Sequence, residues 1–373
     1  MNAHSPEPVE RMIFSLRALY DRHGYSRYKM NKFEEYDLYA KNKDFLISDG
    51  VITFTDTNGR LMALKPDVTL SIVKNTKDRE NGIQKLYYNE NVYRVSKGTR
   101  SFREITQVGL EALGSVDEHC IYEVLSLAAK SLSCTGKNCV LEISHLGLLS
   151  DVLRYAGVPE EETGSVLHFI GEKNLHELTA LCASLSIPED RAALLRRVAS
   201  VYGTPGEVLP EIRSLLAGVA DETSLERFSD ILTALEKTEA AEMLRIDFSV
   251  VSDTRYYNGF VFKGFAEGIP TSILSGGQYD RLMAKMKRSS RAIGFAVYLD
   301  MLQEYGKAPG EYDIDTLILY DDPAQLGMIE AEAEKYRAKG ESALVQPTIP
   351  MGLRFRWLVS IQNGEVKTVE DHA

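Results

Sequence analysis

Cysteine is scarce in this 373-residue chain: Cys120, Cys134, Cys139 and Cys182 are the only four, with no CxxC pair and no histidine at ligand spacing. That argues against a disulfide scaffold and a cysteine-built zinc site, and it favours a reducing, cytoplasmic setting with no metal. Long apolar runs are missing too. None approaches the ~18–20 residues that a membrane span needs, so no membrane is expected as a partner. The opening MNAHSPEPVERMIF has an early proline, two glutamates and no apolar stretch, unlike a secretory signal. Positive charge is in deficit. With 43 Lys+Arg against 54 Asp+Glu the formal charge is −11, which argues against a surface that embraces nucleic acid. There is no internal repeat and no low-complexity tract. What is present, 44% hydrophobic and 26% charged residues, is average for a soluble globular chain, and the length suits two or three domains.

Periodicity gives the outline. Val9, Met12, Ile13, Leu16, Leu19 and Tyr20 form one apolar stripe, which predicts a helix over Pro8 to Arg22 that Gly24 ends. VITFT (51–55) and RLMALK (60–65) flank Asp56-Thr57-Asn58-Gly59 and predict a hairpin, since Asn-Gly supplies the positive φ of a tight turn. A short helix is expected after Pro66, capped by Asp67. Two long strands follow, 83–95 and 103–114, joined by the basic loop 96–101. In the second, Thr106, Val108, Leu110 and Ala112 point one way, and Ile105, Gln107, Gly109 and Glu111 the other. A Gln and a Glu on one face of a central strand suit a polar pocket better than a hydrocarbon core.

From about 146 to 237 the pattern is purely helical, broken at Gly157-Val158-Pro159, Ile187-Pro188 and Gly203-Thr204-Pro205-Gly206. Strand patterns resume at 244–250, 259–265 and 270–276, and helices are predicted near 279–286 and over 292–305. An all-helical block between strands of one antiparallel sheet reads as an insertion. Beyond Gly310, a strand at 314–320, a helix at 324–339 and strands near 342–345 and 357–361 predict a small α/β unit. The expected organisation is therefore a core over 1–310, with the insertion at about 146–237, and a terminal unit over 311–373.

Five segments place polar groups where a core would take apolar ones. They are Lys65-Pro66-Asp67-Val68-Thr69, Tyr93-Arg94, Gln107 with Glu111, Arg255-Tyr256-Tyr257-Asn258-Gly259, and Ser275-Gly276-Gly277-Gln278-Tyr279-Asp280. Singly, each has a structural explanation. Asp67 can simply cap a helix, Arg94 can pair with a carboxylate, and Tyr256 and Tyr257 can be strand aromatics. No GxGxxG or GKS/T pattern surrounds Gly276-Gly277, so a turn accounts for it better than a phosphate cradle.

Taken in order, KPDVT, a Tyr-Arg strand, a basic loop, REITQVGLEALG, RYYNGFVF, ILSGGQYDRLM and AIGFAVYLDML resemble the core of histidyl-tRNA synthetase and its paralogue, the regulatory subunit of ATP phosphoribosyltransferase. The resemblance spans about residues 8–306. It implies an α+β fold of the class II synthetase kind, an antiparallel sheet flanked by helices with a helical insertion and a small C-terminal α/β unit. It also implies a pocket for free histidine. By position, Asp67, Thr69 and Gln107 correspond to residues around the ammonium group, Glu111 to the reader of the imidazole, Tyr256 and Tyr257 to the walls, and Arg94 to the arginine that meets the carboxylate. The chemistry is consistent: carboxylates and neutral acceptors suit an ammonium, and a carboxylate can accept a ring N–H.

Three departures stand against catalysis. Where synthetases carry a Glu that orients adenine, this chain has Ser96, and their two phosphate-binding or catalytic arginines are replaced by Met301 and Ser252. Losing one electrostatic donor can cost ~10²–10³ in rate. The stretch after Gly310 is also acidic, with Asp313, Asp315, Asp321, Asp322, Glu330, Glu332 and Glu334, where tRNA binding favours Lys and Arg. The resemblance therefore implies a non-catalytic subunit without a cofactor. Its expected partner is a short-form ATP phosphoribosyltransferase catalytic subunit, which it activates while conveying inhibition by L-histidine, as a homodimer within a hetero-oligomer and without tRNA. The rival readings are a divergent histidyl-tRNA synthetase and a stand-alone histidine sensor.

Overall fold

Met12, Leu16, Leu19 and Tyr20, the apolar stripe of the first helix α1 (Pro8–Arg22), are buried, and the Tyr20 hydroxyl meets Ser131 Oγ at 2.9 Å. Gly24 follows with φ +78°, the left-handed conformation that glycine adopts without a Cβ clash. The computed structural model describes residues 8–43, 50–78, 82–96, 101–251, 256–305 and 312–371. The basic stretch 97–100 and Ser252 lie outside them.

After α1 come β1 (Ser26–Arg27), β2 (Phe33–Glu35), α2 (Tyr36–Lys41), β3 (Thr53–Thr55) and β4 (Leu61–Leu64). The expected hairpin is there with shorter strands. Asp56 Oδ1 accepts from the N–H groups of Asn58 and Arg60, each at 2.8 Å, and Gly59 takes φ +78°. Strands β2, β4 and β3 form a small antiparallel sheet. Helix α3 (Val68–Asn75) follows, with Asp67 as its N-cap.

The large sheet is built on β5 (Ile83–Val95) and β6 (Phe102–Gly114), paired antiparallel over their full thirteen residues. Next come α4 (Glu118–Ser133) and β7 (Cys139–His145), then a helical block of α5 (Leu146–Ala156), α6 (Thr163–Gly171), α7 (Leu175–Ser184), α8 (Glu189–Ser200), α9 (Pro205–Leu216) and α10 (Glu222–Leu235). The breaks fall as expected. Gly157 closes α5 at φ 78°, Pro188 precedes α8, and Thr204 with Glu207 forms a capping box on α9.

The block is not purely helical. Tyr202–Gly203 forms a short strand, β8, paired with β9 (Leu244–Asp247) beyond the block. Nor does it have a core of its own only. Phe228 of α10 is fully buried, with its ring 5.5 Å from Phe260, 6.2 Å from Phe248 and 5.8 Å from His145.

The remaining elements of this unit are β10 (Phe260–Ala266), β11 (Leu274–Gln278), α11 (Asp280–Lys285), β12 (Arg291–Tyr298) and α12 (Leu299–Tyr305). Two expectations change here. The strand expected at 270–276 begins at Leu274, and the helix expected over 292–305 is a strand followed by a short helix. Strand β12 lies between β6 and β11 with nearly every residue buried. A strand covered on both faces shows a continuous apolar run, and AIGFAV has no alternation to separate it from a buried helix. The sheet order is β1-β5-β6-β12-β11-β10-β7-β9-β8. It is mostly antiparallel rather than wholly so, since β1 with β5 and β7 with β9 run parallel.

Internal contacts gather Arg11–Tyr305 into one unit and assign the stretch from Gly306 onward to another. In the smaller unit β13 (Ile314–Tyr320), α13 (Leu326–Arg337), β14 (Ala343–Gln346), β15 (Phe355–Gln362) and β16 (Glu365–Asp371) give a sheet of order β14-β13-β15-β16. Ile318, Val359 and Ile361 meet Ile329 and Ala333 of α13 in its core. Strand β16 escaped the sequence reading because EVKTVED is charged and largely exposed, an edge strand with no apolar face to reveal it. The architecture is α+β.

Candidate functional site

The even-numbered face of β6 is apolar; Val108, Leu110 and Ala112 are fully buried. Its odd face carries Gln107 and Glu111, also buried at 4% and 2% exposure, and there they line a cavity of about 400 Å³ including its mouth. Polar side chains on a buried strand face cost free energy unless something satisfies them, and here a pocket does. The same cavity receives Asp67 and Thr69 from the start of α3, Arg94 from β5, and Tyr256 and Tyr257 from the segment before β10. All seven residues singled out from the sequence therefore converge on one space.

Glu111 is the hub of the polar network. Thr69 Oγ1 donates to its Oε1 at 2.7 Å, and Tyr279 Oη donates to its Oε2 at 2.6 Å. Burial pushes the Glu111 carboxyl up to about 8, the charge of Asp67 pushes the same way, and the two hydroxyl donors offset only part of this. Opposite Glu111 on β12 stands Gly294, where a Cβ would lie 1.8 Å from Glu111 Oε2. The missing side chain is what gives the carboxylate room.

Asp67 serves the helix and the pocket together. Its Oδ1 accepts from Leu70 N–H at 2.8 Å, the N-cap bond of α3. Burial raises its carboxyl above the usual range, while that N–H and the Arg94 charge pull it down. Arg94 Nε donates to the Pro66 carbonyl at 3.1 Å, and its remaining N–H groups have no hydrogen-bond partner among the described residues. Nor does the Gln107 side-chain amide. Those unspent groups, with the aromatic wall of Tyr256 and Tyr257 (ring centres 4.6 Å apart), are what a small polar ligand would meet.

Several lining residues were given no role beforehand: Tyr88, Tyr279, Tyr298, Ser275 and Gly294. Tyr88 was accessible by counting in twos along β5 from Arg94. Tyr279 lay within a noted segment without a role of its own, and Tyr298 was hidden by the helical reading of β12. Burial holds the hydroxyls of Tyr88, Tyr256, Tyr257 and Tyr279 protonated far above the ordinary tyrosine range. Ser96 and Met301 do not line the cavity. Ser96 N–H bonds the Ser101 carbonyl, and Met301 Sδ accepts from the Thr271 hydroxyl at 3.5 Å.

Among the described residues no group of three or more His, Cys, Asp or Glu side chains is arranged to hold a metal ion. No described helix is long and apolar enough to cross a membrane.

The family model for histidyl-tRNA synthetase matches residues 4–302. The chain belongs to that family. Within the family it is similar to an ATP phosphoribosyltransferase regulatory subunit of Oceanobacillus iheyensis, 26% identical over 87% of this chain and 81% of the relative. Two solved structures share the fold. One is an ATP phosphoribosyltransferase regulatory subunit/histidyl-tRNA synthetase from Bacillus halodurans, with a TM-score of 0.72 at 24% identity over 93% of this chain and 91% of that one. The other belongs to an ATP phosphoribosyl transferase (HisG:HisZ) complex from Thermotoga maritima, with a TM-score of 0.61 at 20% identity over 77% and 96%. The family match ends at 302, so the sheet β14-β13-β15-β16 lies beyond it.

Proposed function

We propose that the chain is a non-catalytic regulatory subunit of ATP phosphoribosyltransferase, one that activates a short-form catalytic subunit in the cytoplasm and conveys inhibition by histidine bound in this cavity. The observation that carries the reading is the pairing of a retained amino acid pocket with the missing adenylation groups. Glu111, bonded by Tyr279, is able to meet an imidazole. Asp67, Thr69 and Gln107 suit the ammonium, and the unspent N–H groups of Arg94 suit the carboxylate. The named regulatory subunits among the relatives support the same reading, and so does the HisG:HisZ complex of Thermotoga maritima. Phe14, 59% exposed on α1, is consistent with a second copy covering that helix.

Regulation requires more than tight binding. Histidine must bind the inhibited assembly more strongly than the active one, because equal affinity shifts nothing. The test mixes the chain with a short-form catalytic subunit. Phosphoribosyl transfer is expected only in the mixture, and histidine should suppress it. Glu111→Ala should still activate but lose at least about tenfold in sensitivity to histidine, the scale of removing one partner of a buried hydrogen bond. Activity of the catalytic subunit alone at the level of the mixture would sink the proposal.

A further inference from the structure

A second cavity lies on the other face of the large sheet. Residues 275 and 279 line the histidine cavity, whereas Gln278 faces a space of about 1100 Å³, mouth included, between the sheet, the start of α4 and helix α10. None of the residues assigned above to histidine lines it. Its volume suits a metabolite rather than a lone ion.

The hydrogen-bond inventory of this cavity is uneven. Gln278 is 3% exposed, and its Oε1 accepts from Phe260 N–H at 2.8 Å, which leaves its amide NH₂ with no partner among the described residues. His145 Nδ1 accepts from Leu148 N–H at 3.1 Å, so the neutral ring carries its proton on Nε2, also without a partner there. The lining carboxylates are already engaged. Asp117 caps α4 through Cys120 N–H, and Glu118 pairs with Arg227 at 2.6 Å. Arg291 is held by Asp280 and the Val116 carbonyl, each at 3.3 Å. Each guanidinium has five N–H groups, more than these contacts consume. The buried side-chain groups left over, the Gln278 amide and His145 Nε2–H, are donors.

We propose that this cavity is a second ligand site, for an organic anion whose carboxylate or phosphate group accepts from the Gln278 amide and His145 Nε2–H, with Arg227 and Arg291 at its margins. A ligand here would sit one residue along the chain from Tyr279, whose hydroxyl binds Glu111 on the opposite face.

The test is calorimetric titration of the full chain with inorganic phosphate, with malonate, and with glycerol as the uncharged control. Gln278→Glu keeps the acceptor for Phe260 N–H, removes the donors and adds a negative charge facing the anion. Both changes act against binding, which should weaken by at least about tenfold. Arg227→Ala, on an exposed helix face, should weaken it too, and Arg94→Ala should leave it unchanged. Preference for phosphate or for malonate identifies the head group. Absence of heat with both anions, equal binding of glycerol, or a loss caused by Arg94→Ala but not by Arg227→Ala would overturn the proposal. Arg227→Ala keeps it testable should Gln278→Glu fail to fold.

Discussion

A single carboxyl sets the character of the cavity lined by Gln107 and Glu111. Glu111 titrates near 8 when folded, well above the ordinary carboxylate range, so between those values the native chain holds a proton that the unfolded chain has lost. Stability contributed by the neutral acid therefore falls as pH rises toward 8. His145 has the opposite sign. Burial lowers it to about 4, so its contribution grows as pH rises through about 4 to 6.5. Above pH 6.5 Glu111 is the group to watch. Urea unfolding between pH 6.5 and 8 should show a loss of order 1 kcal/mol per pH unit that Glu111→Gln abolishes; a parallel slope in the variant would contradict it. Gly294→Ala probes the same carboxyl by sterics, since a Cβ 1.8 Å from Oε2 must displace it. Histidine affinity should fall by at least about tenfold, with calorimetry as the readout and circular dichroism to check the fold.

Elements were legible where the surroundings are one-sided. Helix α1 has a dry face and a wet one, so its stripe shows, and both of its ends match. The segments holding the seven site residues stood out because polar groups occur where a core would take apolar ones, and the choice among them rests on the family resemblance. Strand β12 was misread because burial on both faces erases periodicity, and with it went Tyr298 and the place of Gly294. The helical block illustrates another limit, since its breaks are local and readable while its docking is not. Nothing near Phe228 announces that its ring stacks on Phe260 of the sheet. Phe228→Ala should cost about 3–5 kcal/mol. Hydrogen exchange should show β10 losing protection together with α10; loss confined to α10 would mean that the block unfolds alone.

At the scale of the whole chain, the charge of −11 and the altered adenylation positions make one argument. Synthetases of the family use a glutamate and two arginines where this chain has Ser96, Ser252 and Met301, and neither Ser96 nor Met301 reaches the cavity. If each missing donor costs ~10²–10³, restoring one recovers only part of the deficit, because groups that act together are not additive. Histidine-dependent exchange of pyrophosphate into ATP should thus stay at background in the wild type and in Met301→Arg, while histidine still binds. The acidic smaller unit adds a second arm. Phosphate contacts release counterions, so any tRNA affinity should be greatest at low salt. Filter binding there should detect no saturable complex. Exchange at synthetase rates, or a tight tRNA complex that salt dissolves, would return the chain to catalysis.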